Sequence, residues 1–242
     1  MTTVATPEAH ADAPIGTARV TGLLYLGLAL TGLLGFLTIR PRIFDPDDAA
    51  STLAHLVEHE WLARAGIALE LGVVLTQALV ALWFHRLFRS VDALQAGAIA
   101  AFGLVNAGAI LGSAALLASA LQVALDPAGN PAGDPAGDAQ LLYVVGDNLW
   151  GVSALFFGLW LIPMGTCVLR SGRMPRPLGW VLVVGGAGYI VSGFVSALAP
   201  GAGAVTAALT VPASIGEFWM IGYLLIRGVR PSAPAPAAVP VT

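Results

Sequence analysis

Six long apolar runs, separated by short polar breaks, dominate the chain at about 18 to 39, 62 to 84, 97 to 125, 140 to 169, 178 to 199 and 204 to 227. Each is long enough to cross roughly 30 Å of hydrocarbon at about 1.5 Å per residue. A helix is the only open segment that satisfies its own backbone in lipid, and the strict alternation a barrel strand needs is absent. The pattern therefore predicts an all-α integral membrane bundle of six transmembrane helices spanning residues 17–229. Residues 1–16 and the Pro- and Ala-rich 230–242 are expected to be disordered cytoplasmic tails.

Two of the breaks have structure of their own. Asp45-Pro46-Asp47-Asp48 resembles a helix start, and Leu53, Leu56, Val57 and Trp61 then recur at helical spacing. A short amphipathic helix lying on the membrane surface between the first and second spans is expected. Between the third and fourth spans, Asp126 to Asp138 repeats an Asp/Asn-Pro-Ala-Gly unit, which reads as a mobile loop.

Arginines set the orientation. Arg19, Arg86, Arg89, Arg170, Arg173, Arg176, Arg227 and Arg230 fall on one side and Arg40, Arg42 and Arg64 on the other, so both termini are expected in the cytoplasm. The first span taken alone points the other way, because Arg40 and Arg42 follow it; the sum over all loops outweighs it.

Composition narrows the class further. With 57% hydrophobic residues, 10% charged residues and a mean hydropathy of +0.82, a soluble domain is excluded. A net charge of -3 without a basic stripe excludes a nucleic-acid partner. Cys167 is the only cysteine, which rules out an intrachain disulfide or a cysteine zinc cluster. The first sixteen residues lack the features of a cleavable signal peptide, so the first span is expected to stay in the mature protein. Abundant Ala, Gly, Pro and Arg with no Lys suggests a GC-rich genome and a bacterial plasma membrane, with membrane lipids as partners.

Three lone carboxylates, Glu70, Asp147 and Glu217, lie inside apolar runs. Ionisable groups in hydrocarbon are costly and mark functional sites by default. Asp147 shares a helical face with Gly151, Ala154, Gly158, Leu161 and Gly165, a small-residue stripe suited to close packing. Counted along the helices, Glu70 and Asp147 lie roughly 10 Å from one membrane face and Glu217 roughly 20 Å. No arginine is expected at either depth. One reading makes the acids interhelical hydrogen-bonding groups, helped by Asn106, Ser113 and Asn148. The other makes Glu70, Asp147 and Glu217, with Gln77 and Asn148, a ligand or proton site.

His55-Leu-Val-Glu58-His59 matches H-x-x-E-H, a spacing that sets two histidines on one helical face for a metal with the glutamate as base. The alternative is a solvated polar face. His85 beside Arg86 and Arg89 suits a helix terminus near headgroups, and no second buried histidine pairs with it for haem. Trp61, Trp83 and Trp180 are expected at interfaces, and Trp150, Trp160 and Trp219 in ordinary packing.

Several stretches in order resemble the bacterial membrane family catalogued as domain of unknown function 4386: Ala18-Arg-Val-Thr-Gly-Leu-Leu-Tyr25, Glu60-Trp-Leu-Ala-Arg64 followed by Glu70, Phe156-Phe-Gly158, Arg170-Ser-Gly-Arg-Met-Pro-Arg-Pro-Leu-Gly179, Gly188-Tyr189 and Pro212-Ala-Ser-Ile-Gly-Glu217. The resemblance implies a six-helix membrane domain, no established activity and no cofactor. It also implies a Glu60–Arg64 salt bridge and weight on Glu70 and Glu217. Where many members carry an arginine early in the third span, this chain has Gly103, so an intramembrane ion pair at that position is expected to be missing.

No cofactor is indicated. The leading expectation is a non-enzymatic membrane protein that binds or senses a small lipophilic or protonatable ligand in the bundle interior. A proton-coupled small-solute transporter and a membrane metal-dependent hydrolase are the alternatives. Stripes such as Gly108-x-x-x-Gly112 fit internal packing or a homo-oligomer equally.

Overall fold

Six helices long and apolar enough to cross a membrane carry the chain back and forth. The computed structural model describes residues 15–129, 133–199 and 201–229; residues 1–14 of the tail expected at 1–16, the tail expected at 230–242 and the centre of the repeat loop lie outside the described residues. Helix α1 runs Ile15–Leu33 and continues through a π-helical segment, Leu34–Ile39, into a last turn, Arg40–Ile43. There follow a short α2 (Ala49–Glu58) and the long helices α3 (Glu60–Phe88), α4 (Ala93–Leu125), α5 (Pro135–Ser171), α6 (Arg176–Leu198) and α7 (Gly203–Ile226). No strand occurs among the described residues.

Neighbours in sequence are neighbours in space from α3 to α7, and α1 closes the ring between α7 and α3. Six spans put the start of α1 and the end of α7 on one face, called here the terminal face, and α2 on the far face. At the terminal face Asp92 caps α4, accepting from the Gln95 N–H at 3.0 Å, and pairs with Arg170. That N–H and then the guanidinium hold the Asp92 carboxyl below the usual aspartate range.

Glycines set the spacing of α5 and α6. Gly165 faces Gly179 and Gly158 faces Gly186, so closely that a Cβ at Gly165 or Gly158 would lie 2.5 Å or 2.6 Å from the opposing carbonyl oxygen. Such contacts let backbones approach in lipid, where no hydrophobic force drives helices together. Seven residues on, Gly151 and Gly193 continue the series, yet a Cβ at either would meet nothing within 4 Å. The two helices are in contact toward the terminal face and apart toward the far face.

Helix α1 behaves in a related way. It follows α3 along its length, with Gly72 against Thr31 and Gly66 against Ile39. Its contact with α7 is made near the terminal face, where Gly22 meets Leu224 and Leu225.

The far face departs from expectation in two places. Helix α2 does not float on lipid. Leu56 is fully buried with Ile43, Leu121 and Tyr143, so the apolar side of α2 plugs the end of the bundle, while Val57 and Trp61 remain exposed. Its N-cap is Asp48, which accepts from the Ala50 and Ser51 N–H groups. The described ends of the repeat loop are ordered, because an Asp-Pro-Ala-Gly unit can make one capped turn. Asp126 accepts from Gly129 around the 3-10 turn Pro127–Gly129, and Asp134 accepts from Gly137 to open α5.

Candidate functional site

The π segment determines where the charge on α1 goes. Within it the Arg40 N–H reaches back five residues to the Gly35 carbonyl instead of four. A wider turn shifts the helical phase of everything after it, and Arg40 points into the bundle with its side chain only 9% exposed. Its Nη1 donates to Asp147 Oδ1 at 2.9 Å, and its Nη2 lies 3.6 Å from Glu70 Oε1. Trp150 Nε1 donates to the same Glu70 oxygen at 3.2 Å, Ser113 stands beside the carboxyl, and the guanidinium sits 5.3 Å from the Phe36 ring centroid.

This corrects the expectation of no cation at the depth of the acids. On paper Arg40 falls just past the first span, which ends at about residue 39, but α1 extends to Ile43 and α2 covers that end. Trp150, expected as packing, is a hydrogen-bond donor to the buried acid.

Glu217 is a separate site. Tyr25 on α1 donates to Glu217 Oε1 on α7 at 2.6 Å. The tyrosine is held by edge-to-face contacts with Phe84 at 5.4 Å and Trp160 at 5.6 Å, geometry that favours the ring quadrupoles. Tyr25→Phe is expected to strip Glu217 of this donor and destabilise the protein by about 1–3 kcal/mol, the range for a polar group left unpaired away from water. Denaturant titration of the purified protein in micelles checks it.

Between these two sites lies a cavity of about 600 Å³ bounded by α1, α3, α5, α6 and α7 and open on one side, where Leu37, Gly151 and Phe218 are exposed. Its far end carries Asp147 and Trp150, its inner end Tyr25, Tyr189 and Glu217. Gly151 and Gly193, the separated glycine pair, are in its wall. The cavity exists because α1 and α5 diverge from their partners toward the far face.

Glu70, Asp147 and Glu217 are thus joined through Arg40 and the cavity as an outer pair and a deeper single acid. Gln77 and Asn148 do not line the cavity. Gln77 is buried on α3 two turns from Glu70. Asn148 is exposed.

Comparison with known proteins fits this architecture. Residues 20–228 match the family described as Domain of unknown function (DUF4386). The chain belongs to this family. No curated protein and no solved structure matches it.

Two features of this DUF4386 chain bear on the resemblance. Glu60 and Arg64 do pair, at 2.7 Å, but in an exposed position one turn apart. Gly103 has no room for any side chain, since a Cβ there would lie 2.7 Å from that of Ala81 and 3.1 Å from Trp160. The intramembrane ion pair of this chain is made from another position, Arg40 on α1.

The H-x-x-E-H spacing does set the two histidines on one face: His59, the C-cap of α2, donates its N–H to the His55 carbonyl at 2.9 Å. The His55 and His59 rings stack at 6.3 Å, and His55 Nδ1 lies 3.3 Å from the Ile43 carbonyl oxygen. Among the described residues no three His, Cys, Asp or Glu side chains, Glu58 included, come together as metal ligands.

Proposed function

We propose that this multi-pass membrane protein binds a small amphipathic ligand in its interior, without catalysing a reaction. The observation that carries the reading is the cavity of about 600 Å³. Its size is in the range of small-molecule sites, and it is mostly apolar with a few placed polar groups, as such sites are.

The plasma membrane with both termini cytoplasmic is the proposed setting. The arginine count supports it more strongly once Arg40 is removed from the far side, because a guanidinium bound to two carboxylates inside the bundle is not a loop charge.

Filling the cavity tests the function. Gly193→Phe adds a ring where the backbone leaves open space. Native mass spectrometry of gently solubilised protein is expected to show a small-molecule adduct on the wild type that the variant lacks. Equal adduct patterns on two folded proteins, or no adduct on either, would count against the reading.

A further inference from the structure

The chemistry of the cavity wall narrows the ligand. Its polar lining consists of oxygens: two carboxylates, two phenols and a set of serine and threonine hydroxyls, with no arginine or histidine among the described lining residues. Trp150 is the one lining side chain with an N–H, and that N–H is already given to Glu70.

The hydroxyls are also largely committed as donors. Ser192 donates to the Tyr189 carbonyl at 2.8 Å, Thr210 to Ala207 at 2.9 Å and Thr206 to Ala202 at 3.3 Å. Toward the cavity they present lone pairs. Tyr25 is committed in the same way, to Glu217.

The two carboxylates are not equivalent. Asp147 is neutralised by Arg40 at 2.9 Å. Glu217 meets no cation, and the Tyr25 hydroxyl on Oε1 is its only hydrogen-bond partner among the described residues. Around the inner end stand the aromatic rings of Tyr25, Phe157, Tyr189 and Phe218, with Phe157 and Tyr189 stacked at 6.0 Å. A carboxylate with acceptors and aromatic rings around it suits an ammonium group, which donates N–H bonds and is attracted to ring faces. Across the cavity α1 offers Leu28, Leu33 and Leu37, a surface for an aliphatic body.

From this lining, and resting on the cavity being a ligand site, we propose that the ligand is an amphipathic amine whose ammonium group binds Glu217 and whose apolar body lies along α1. Alkyl probes of one length separate the possibilities. Decylammonium, decanol and decanoate are offered at equal concentration to the detergent-solubilised protein, and retained adducts are counted by native mass spectrometry.

Decylammonium is expected at one per chain and at least tenfold above decanoate and decanol, with Glu217→Gln reducing it at least tenfold and Gly193→Phe removing it. If decanol or decanoate is retained as well as decylammonium, and Gly193→Phe removes all three, the cavity reading stands and the amine is overturned. If Gly193→Phe leaves retention unchanged, or none of the probes is retained, the cavity reading and the amine fall together. The ranking on the wild type needs no variant, so it decides the matter even if Glu217→Gln does not fold.

Discussion

Arg40→Ala should be the most damaging single substitution in the protein, at about 3–5 kcal/mol, the cost of removing one member of a buried ion pair. The loss comes less from the missing attraction than from Glu70, which stays buried with only Trp150 donating to its Oε1. Two companions distinguish this cause from lost packing. Arg40→Lys should recover little, because an ammonium cannot present the two-pronged fork that reaches both Glu70 and Asp147. Arg40→Met combined with Glu70→Met should recover most of the stability, since replacing a whole buried pair by apolar groups is often neutral. Unfolding in mixed micelles titrated with a denaturing detergent measures all three, and an Arg40→Ala protein within about 1 kcal/mol of wild type would contradict the buried pair.

Leucine at Gly158 should equal or exceed the roughly 1–3 kcal/mol of ordinary overpacking, because the atom in its way is a backbone carbonyl oxygen of α6 at 2.6 Å, which has no rotamer to give. Leucine at Gly151, two turns along the same face, should change stability by no more than about 0.5 kcal/mol, since nothing lies within 4 Å of its Cβ position. The same substitution on the same stripe thus reports whether the glycine pair is closed or open. Equal losses at both positions, measured by the same micelle titration, would mean that α5 and α6 stay together to the far face and that the cavity is closed in solution.

Much of this architecture is legible from residue order alone. Apolar run length fixes six spans, and the 3.6-residue period places Asp147, Gly158 and Gly165 on one face, where they are found. Rise per residue pairs Glu70 with Asp147 and sets Glu217 apart. Other features depend on information that a periodic reading discards. Arg40 is hidden because one π turn shifts the phase of α1 after Leu34, and a fixed period assigns it to a loop. Tyr25 and Trp150 are hidden because an aromatic side chain in an apolar run looks like packing until its partner, 192 or 80 residues away, is known. The third glycine pair is hidden for the opposite reason: its spacing repeats that of the first two, and only the divergence of the helices sets it apart. The ends of the repeat loop were readable at a finer scale, since Asp-Pro at Asp126 and at Asp134 is a cap and a first-turn residue.

Seen as mechanics, α1 is a beam. Near the terminal face it is clamped, with Gly22 against α7 and Tyr25 tied to Glu217; at the other end Arg40 pins it to α3 and α5; between the two, its side facing α6 spans open space. Release of the pin at Arg40 would leave that end held by apolar packing, Ile39 on Gly66 and Ile43 on Leu56. The far end of the cavity is thus braced by an ion-pair cluster of which only Asp147 belongs to the lining.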